Sequence, residues 1–309
     1  MVRQFVWETG RVMMSVLGRA VLVVLLSSCA SAPIPPTITE PVRPKVALVL
    51  GGGAARGFAH IGVIRVLEQE KIPVDMVVGT SVGSLIGALY AYDMNSFELE
   101  WTAFSLEKDD VFDFTVLSAI TTGMGLVKGD RLEAFVKAKI PLADIESLKL
   151  PFAAVATDLN RGTEVVLDKG SIAKAVRASS AIPGVFNPVE HQGKLLVDGG
   201  VVDNIPISVA REKGADIVIA VDISENVINF NVTSYIDVVL QSVNIMFNET
   251  MKYKKKEADV LIKPAVAPVA LLDFSQRKQC MLAGMDAAKR AVPEIREKIE
   301  EWGKKKKAP

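Results

Sequence analysis

The chain has 309 residues, enough for one large α/β domain or two small ones with a substantial buried core. Its 36 Lys and Arg balance 36 Asp and Glu, and a formal charge of zero argues against electrostatic capture of nucleic acid as the main activity. Two cysteines, Cys29 and Cys280, exclude a disulfide framework, because the first ends an apolar run outside the presumed domain.

A secretion signal is the first predicted element, over residues 1–28. Residues 20–26 are all apolar, Arg11 and Arg19 precede them, and the small residues after them lead to Cys29. This order is typical of a signal peptide, and the run is much shorter than the roughly 20 apolar residues that a spanning helix needs.

Cys29 closes a Leu-Ser-Ser-Cys sequence that resembles the bacterial lipoprotein cleavage box. The resemblance implies that Cys29 becomes a lipidated N-terminus and anchors the protein in the membrane; the alternative is a buried strand that ends in cysteine. A proline-rich tether over 29–44 is expected to be extended and semi-rigid. Ala30 stands where an Asp would suggest inner-membrane retention, so the expected location is the outer membrane of a bacterial cell envelope.

From residue 45 onward, short β-branched runs alternate with helical patterns, which predicts βαβ units and a parallel sheet. The predicted strands cover 46–50, 76–79, 152–157, 164–167, 194–197, 217–221 and 260–262. The predicted helices cover 58–71, 84–92, 130–140, 207–213, 238–254 and 283–302. We assign 45–225 to the main domain and 226–309 to a helical extension that packs on the same domain.

Residues 93–129 show no clear helical or strand periodicity of apolar residues but are rich in large apolar side chains, among them Phe97, Trp101 and Phe112. Two interpretations stay open for this segment. It is either a lipid-facing cap or an ordinary helical excursion that covers the edge of the sheet.

The glycine run Gly51, Gly52 and Gly53 follows the first strand and opens the first helix, so its amides point toward an anion. A dinucleotide-binding loop is one interpretation, but Ala54 and Arg56 break its glycine register and no acidic residue ends the second strand. The other is an oxyanion hole, which needs the same amides close to a nucleophile. Arg56 would then brace the loop or bind a lipid phosphate, or it is a structural salt-bridge partner.

The segment 79–83, Gly-Thr-Ser-Val-Gly, lies between the second strand and the next helical pattern. This context is that of a nucleophile elbow, in which Gly79 and Gly83 make room for a turn that projects the Ser81 hydroxyl. The helix that follows adds its dipole to the stabilisation of negative charge. The alternative is a glycine-rich turn whose serine caps a helix.

Asp198 follows the strand 194–197 and precedes Gly199 and Gly200, so it is the candidate base. The rival carboxylates near strands or turns, of which Asp158 and Asp222 are the strongest, are Asp75, Asp158, Asp203 and Asp222. The only histidines are His60 on the first helix and His191 at a hairpin tip. Neither is well placed for a Ser-His-Asp triad, which favours a Ser-Asp dyad.

Together these motifs resemble the patatin-like phospholipase family, particularly bacterial members related to neuropathy target esterase. Residues 178–186 are similar to the family's segment before the Asp strand, and the resemblance covers about 45–225. It implies a three-layer α/β/α fold with a central, mostly parallel sheet. The site residues that it implies are the nucleophile Ser81, the base Asp198, the oxyanion amides of Gly51, Gly52 and Gly53, Arg56 toward substrate, and the motif glycines Gly57, Gly79, Gly83, Gly199 and Gly200.

The glycine loop departs from the plant members, since two residues rather than one separate Gly53 from Arg56, which shifts the expected donors toward Gly52, Gly53 and Ala54. The resemblance implies a phospholipase A or lysophospholipase that releases fatty acid through an acyl-enzyme, with membrane phospholipid or lysophospholipid as partner and no cofactor or metal. The alternatives are a carboxylesterase on small esters and a catalytically silent envelope lipoprotein that binds an anionic ligand. The oligomeric state stays open.

Overall fold

The computed structural model describes residues 43–107, 127–224, 232–233, 235–266, 269 and 273–307, within one compact unit, Arg43–Pro309. The predicted signal peptide, Cys29 and most of the tether lie outside the described residues and stay predictions. The same holds for the greater part of the proposed cap, residues 108–126.

An eight-stranded sheet forms the centre of this unit. Its strands are β1 Val46–Leu50, β2 Met76–Thr80, β3 Phe152–Asp158, β4 Thr163–Leu167, β5 Val189–His191, β6 Lys194–Asp198, β7 Ile217–Val221 and β8 Val260–Ile262. Successive hydrogen-bonded partners follow the order β5-β6-β3-β2-β1-β7-β8, in which β6 and β2 pair with different residues along one edge of β3, and β4 pairs with its other edge. All pairs from β3 to β8 along this order are parallel, whereas β4 and β6 run antiparallel to β3, as β5 does to β6. The predicted mostly parallel sheet is confirmed.

Helices cover both faces of the sheet. They are α1 Phe58–Gln69, α2 Val82–Asp93, α3 Ser96–Phe104, α4 Asp130–Lys139, α5 Ile172–Ser179, α6 Ile207–Glu212, α7 Tyr235–Lys254 and α8 Arg277–Lys307. Alternate residues of β1 enter two separate cores: Leu48 packs in the larger core with α1, α2 and α5, and Val49 packs in the smaller core with α6. Every residue of β1 is buried, as expected for a parallel strand covered on both faces.

The long C-terminal helix α8 packs directly on α1. A Cβ atom at Gly284 would lie 2.0 Å from the Ala59 carbonyl oxygen, and one at Gly62 would lie 2.0 Å from the Met281 carbonyl oxygen. The two backbones are therefore in contact, which only glycine allows. Cys280 on α8 is a buried free thiol, and burial raises its pKa to about 11. Within the described residues, no helix is both long enough and apolar enough to cross a bilayer.

Two helices, α3 and α5, were missed by the sequence analysis. The signal for α5 was present, because Ser171 caps its first turn by accepting a hydrogen bond from the Lys174 amide, and its apolar residues follow a helical period. Asn95 caps α3 in the same way.

Candidate active site

Ser81 occupies a strained turn between β2 and α2. Its φ is 54° and its ψ is −126°, an unusual conformation for a residue with a side chain. A Cβ at Gly79 would lie 2.4 Å from the Gly83 carbonyl oxygen, and one at Gly83 would lie 2.1 Å from the Leu50 carbonyl oxygen. The strand-turn-helix geometry that the motif predicts is therefore present, and both glycines are sterically required.

Ser179, which the sequence analysis did not single out, holds the backbone of this turn. Its Oγ accepts a hydrogen bond from the Ser81 amide at 2.9 Å and donates one to the Val155 carbonyl at 2.6 Å. Ser179 is fully buried at the end of α5. It lies within the segment 178–186, so the available signal was its place in that block.

The sheet register brings Asp198 to Ser81. Thr80, the last residue of β2, pairs with Val155 of β3, and Asp198, the last residue of β6, pairs with the next residue, Ala156. Since β4 occupies the opposite edge of β3, β2 and β6 share one edge and meet end to end. Two chain segments far apart in sequence therefore place their terminal residues side by side.

Asp198 is fully buried, and burial raises the pKa of its carboxyl to about 7, against the opposing effect of hydrogen bonds from the Ser81 hydroxyl and the Gly200 amide. Oδ1 accepts the Gly200 amide at 2.8 Å. Within the described part of the chain Oδ2 has no hydrogen bond of full geometry, yet the Ser81 hydroxyl lies near enough to lower the carboxyl's pKa. Contacts of this kind often tighten only when substrate binds.

The rival carboxylates have other partners. Asp75 pairs with Arg43 at 2.7 Å, Asp158 accepts the amides of the turn that follows β3, and Asp222 accepts the amide and hydroxyl of Ser224. Asp203 accepts the Ser208 hydroxyl at 3.4 Å.

Neither histidine takes the place of a triad base. Burial lowers the pKa of His60 to about 4, so its imidazole is neutral, and Nε2–H donates to the Gly51 carbonyl at 2.8 Å. His191 is half-buried at the β5–β6 hairpin, where it pairs with Lys194. His60 thus supports the glycine loop, and His191 lies at the hairpin tip that the sequence predicts.

The glycine loop offers other amides than those predicted. The Gly51 amide donates to the Val221 carbonyl at 3.1 Å and the Gly52 amide to the Asn204 carbonyl at 3.2 Å. The prediction of Gly51 and Gly52 as oxyanion donors is therefore wrong, because both amides already donate to backbone carbonyls. The bond from Gly51 continues the pairing of β1 with β7. The candidate donors whose amides have no hydrogen bond to any described residue are Gly53, Ala54 and Val82.

Arg56 does not face a ligand site. Its side chain is 2% exposed, and Nε donates to the Val269 carbonyl at 3.0 Å. Of its three predicted roles, bracing of the loop fits this buried position, whereas contact with a headgroup does not. Gly57 brings this loop against the elbow, since a Cβ there would lie 2.2 Å from Val82 Cγ2.

The two glycines after Asp198 are closely packed, and Gly199 is sterically required because it faces a backbone atom. A Cβ at Gly199 would lie 2.2 Å from the Val155 carbonyl oxygen, and one at Gly200 would lie 2.4 Å from the Phe247 ring. The turn after β6 is thus packed tightly between β3 and α7.

An apolar pocket opens beside Ser81. Its empty space is about 600 Å³, open solvent included, and Ser81 and Ser180 are the polar residues among the described ones that line it. Phe58, Leu85 and Phe186 are typical of the remaining lining. Among the described residues, no cluster of three His, Cys, Asp or Glu could hold a metal ion. The arrangement suits an alkyl chain that lies against the Ser81 side chain.

Comparison with known proteins gives a family model described as patatin-like phospholipase, which matches residues 48–211. An uncharacterized NTE family protein of Mycobacterium tuberculosis is 36% identical over 181 residues, which cover 59% of this chain and 49% of that protein. Lysophospholipase NTE1 of Scheffersomyces stipitis is 28% identical over 297 residues, which cover 85% of this chain and 18% of that protein. The chain thus spans half or less of the length of these relatives.

A solved structure has the same fold. The crystal structure of VipD from Legionella pneumophila aligns with a TM-score of 0.52 and 15% sequence identity, over 83% of this chain and 67% of that one. At this identity the likeness concerns the architecture of sheet and helices.

Proposed function

Because the chain belongs to the patatin-like phospholipase family, on its NTE-related branch, we propose that it is a lipid acyl hydrolase that uses a dyad of Ser81 and Asp198. One observation carries the proposal. A strained serine meets a fully buried carboxyl, whose pKa burial raises to about 7, at the mouth of an apolar pocket.

In the proposed first half-reaction, ionised Asp198 takes the proton of the Ser81 hydroxyl while Oγ attacks the ester carbonyl carbon. The negative charge that develops on the carbonyl oxygen is stabilised by the amides of Gly53, Ala54 and Val82 and by the N-terminus of α2. Each well-placed donor contributes roughly 3 kcal/mol in the transition state. When the intermediate collapses, Asp198 returns the proton to the leaving alcohol, and the acyl group stays on Ser81.

Water completes the cycle. Asp198 removes a proton from a water molecule as its oxygen attacks the acyl-enzyme carbonyl, and the same oxyanion donors act again. The second collapse releases fatty acid, and the proton on Asp198 returns to Ser81 Oγ.

The pocket favours a substrate with one long acyl chain in the site and its headgroup outside. No charged side chain is among its described lining residues, and Arg56 points into the interior rather than toward it. Burial of each CH₂ group of an acyl chain contributes about 0.8 kcal/mol, so chain length governs the affinity. We therefore propose phospholipid or lysophospholipid as substrate, in line with the name of the fungal relative, lysophospholipase NTE1.

A fluorophosphonate probe tests the nucleophile and separates the alternatives. We expect a mass increase of one adduct on the peptide that contains Ser81, and fatty acid release that rises with acyl length and on vesicles. Absence of an adduct from folded protein supports a catalytically silent lipoprotein. An adduct combined with a preference for short, soluble esters supports a carboxylesterase.

We also expect α3 to contact the bilayer, because it carries exposed aromatic side chains. Phe97 is 65% exposed and Trp101 is 73% exposed, one helical turn apart, while Ala103 on the same helix lines the pocket. Trp and Phe bind well at the interface between water and lipid. Contact there, together with the predicted lipid on Cys29, would place the pocket mouth near the bilayer.

The double substitution Phe97→Ala and Trp101→Ala should lower binding to phosphatidylcholine vesicles and vesicle hydrolysis by about tenfold, since about 1.4 kcal/mol of burial is lost. Hydrolysis of a soluble short-chain ester should stay unchanged. The matched control is Leu159→Ala, which removes a 47% exposed apolar side chain from the turn after β3. Equal vesicle binding by the double variant and the control would contradict a docking role for α3.

A further inference from the structure

Asn204 forms hydrogen bonds with both the amide and the carbonyl of Gly52 in the glycine loop. Its backbone carbonyl accepts the Gly52 amide at 3.2 Å, and its side-chain Nδ2 donates to the Gly52 carbonyl at 3.3 Å. Asn204 is fully buried and lies six positions after Asp198. One residue therefore connects the loop before α1 to the turn after β6.

The side-chain bond also acts on the neighbouring peptide group. The Gly52 carbonyl and the Gly53 amide belong to the same planar unit, in which a trans peptide directs N–H opposite to C=O. A donor on the Gly52 oxygen therefore fixes the direction of the Gly53 N–H and polarises it. The Gly53 amide is one of the candidate oxyanion donors that has no hydrogen bond to any residue the structure describes.

The surroundings of the Asn204 amide leave it little freedom. A Cβ at Gly52 would lie 2.5 Å from Asn204 Oδ1 and 3.1 Å from the Ser81 Cβ, and a Cβ at Gly200 would lie 2.8 Å from the same Oδ1. Asn204 Oδ1 accepts no hydrogen bond from any described residue. The amide thus lies between the glycine loop, the nucleophile turn and the turn after the base.

We propose that Asn204 is a positioning residue for the oxyanion hole, which orients the peptide between Gly52 and Gly53 so that the Gly53 N–H meets the developing negative charge. The inference rests on the proposed hydrolase function. Because the Gly53 N–H acts on the tetrahedral species, loss of the Asn204 amide should lower kcat and leave ground-state binding of the acyl chain unchanged.

Two variants test this role. Asn204→Ala removes the donor, and Asn204→Asp keeps the shape of the side chain while its ionised form cannot donate. For each we would measure kcat and KM, the Ki of a long-chain trifluoromethyl ketone, and the Kd of the free fatty acid. Addition of Ser81 Oγ to the ketone carbonyl gives an oxyanion that mimics the intermediate, whereas the fatty acid reports on the pocket.

We expect kcat to fall about 10- to 100-fold, below the 10²- to 10³-fold effect of deleting a donor outright, and ketone affinity to fall by a similar factor. Fatty acid affinity should not change. The control is Asp259→Ala, which removes an acceptor of the Val218 amide and a partner of Arg211 at the opposite end of β7. It should lower the free energy of unfolding without changing the ratio of ketone to fatty acid affinity.

Equal losses of ketone and fatty acid affinity, or no loss of either, would overturn the positioning role. So would failure of both variants to fold, since Asn204 would then serve stability. Wild-type protein that neither hydrolyses esters nor binds the ketone would instead contradict the proposed function itself, so the two failures are distinguishable.

Discussion

We expect the Ser81→Ala protein to hydrolyse phospholipid esters at least about 10³-fold more slowly than the wild type, because no acyl-enzyme can form without the hydroxyl. The initial rate of fatty acid release from vesicles measures this effect. Ser242→Ala is a suitable control, since that exposed hydroxyl donates within α7 to the Val238 carbonyl. A wild-type rate in the Ser81→Ala protein would exclude Ser81 as the nucleophile.

Substitutions at Ser81 should also reveal how much the strained backbone of this turn lowers the stability of the protein. Alanine at residue 81 keeps the strain of a φ of 54°, whereas glycine relieves it. Ser81→Gly should therefore be as inactive as Ser81→Ala but more stable by about 1 kcal/mol in urea unfolding. Equal stability of the two variants would show that the turn is not strained.

Asp198→Asn carries the second large expected effect, a loss of about 10³- to 10⁴-fold in kcat, because an amide cannot accept the Ser81 proton. In the wild type, kcat/KM should rise about tenfold per pH unit below pH 7 and level off above it, since the ionised carboxylate is the active form and burial raises its pKa to about 7. The pH profile of kcat/KM on a soluble ester measures this. A profile that is flat from pH 5 to 8 would contradict Asp198 as the base.

The stability of the wild type should depend on pH in the opposite sense to its activity. The folded-state pKa of Asp198 lies above its unfolded value, so folding takes up a proton between about pH 4 and pH 7. The wild type therefore loses stability as the pH rises through this window, by a few kcal/mol at most. Asp198→Asn lacks this titration, so above pH 7 it should unfold at higher urea concentration than the wild type.

Asp158→Asn is the matched control for both measurements, because Asp158 is another fully buried aspartate at the end of a strand. Desolvation raises its pKa, but hydrogen bonds from Arg161 and Asn160 outweigh this and hold the pKa below the usual range. Replacement should therefore lower stability above about pH 4 and leave activity unchanged. A loss of activity as large as that of Asp198→Asn would make Asp158 a rival base.

The sequence by itself determined the elements whose causes are local. The apolar runs predicted β1, β7 and β8 to the residue, since an unbroken apolar run of this length between turn residues indicates a buried strand. The elbow was equally local, because Gly79 and Gly83 are needed by atoms at most a few positions away or on the adjoining strand. These features follow from backbone sterics and from burial.

Only the tertiary structure decided which groups meet. The sequence predicted Asp198 as the candidate base from its place after a strand, but its position beside Ser81 depends on the register of β2 and β6 along β3, which no local pattern encodes. The amides of Gly51 and Gly52 donate to carbonyls more than a hundred positions away in sequence. The Asn204 side chain, at a similar sequence separation, donates to the Gly52 carbonyl. A hydrogen bond requires a partner within about 3 Å in a specific direction, and that condition is set by the packing of the whole sheet.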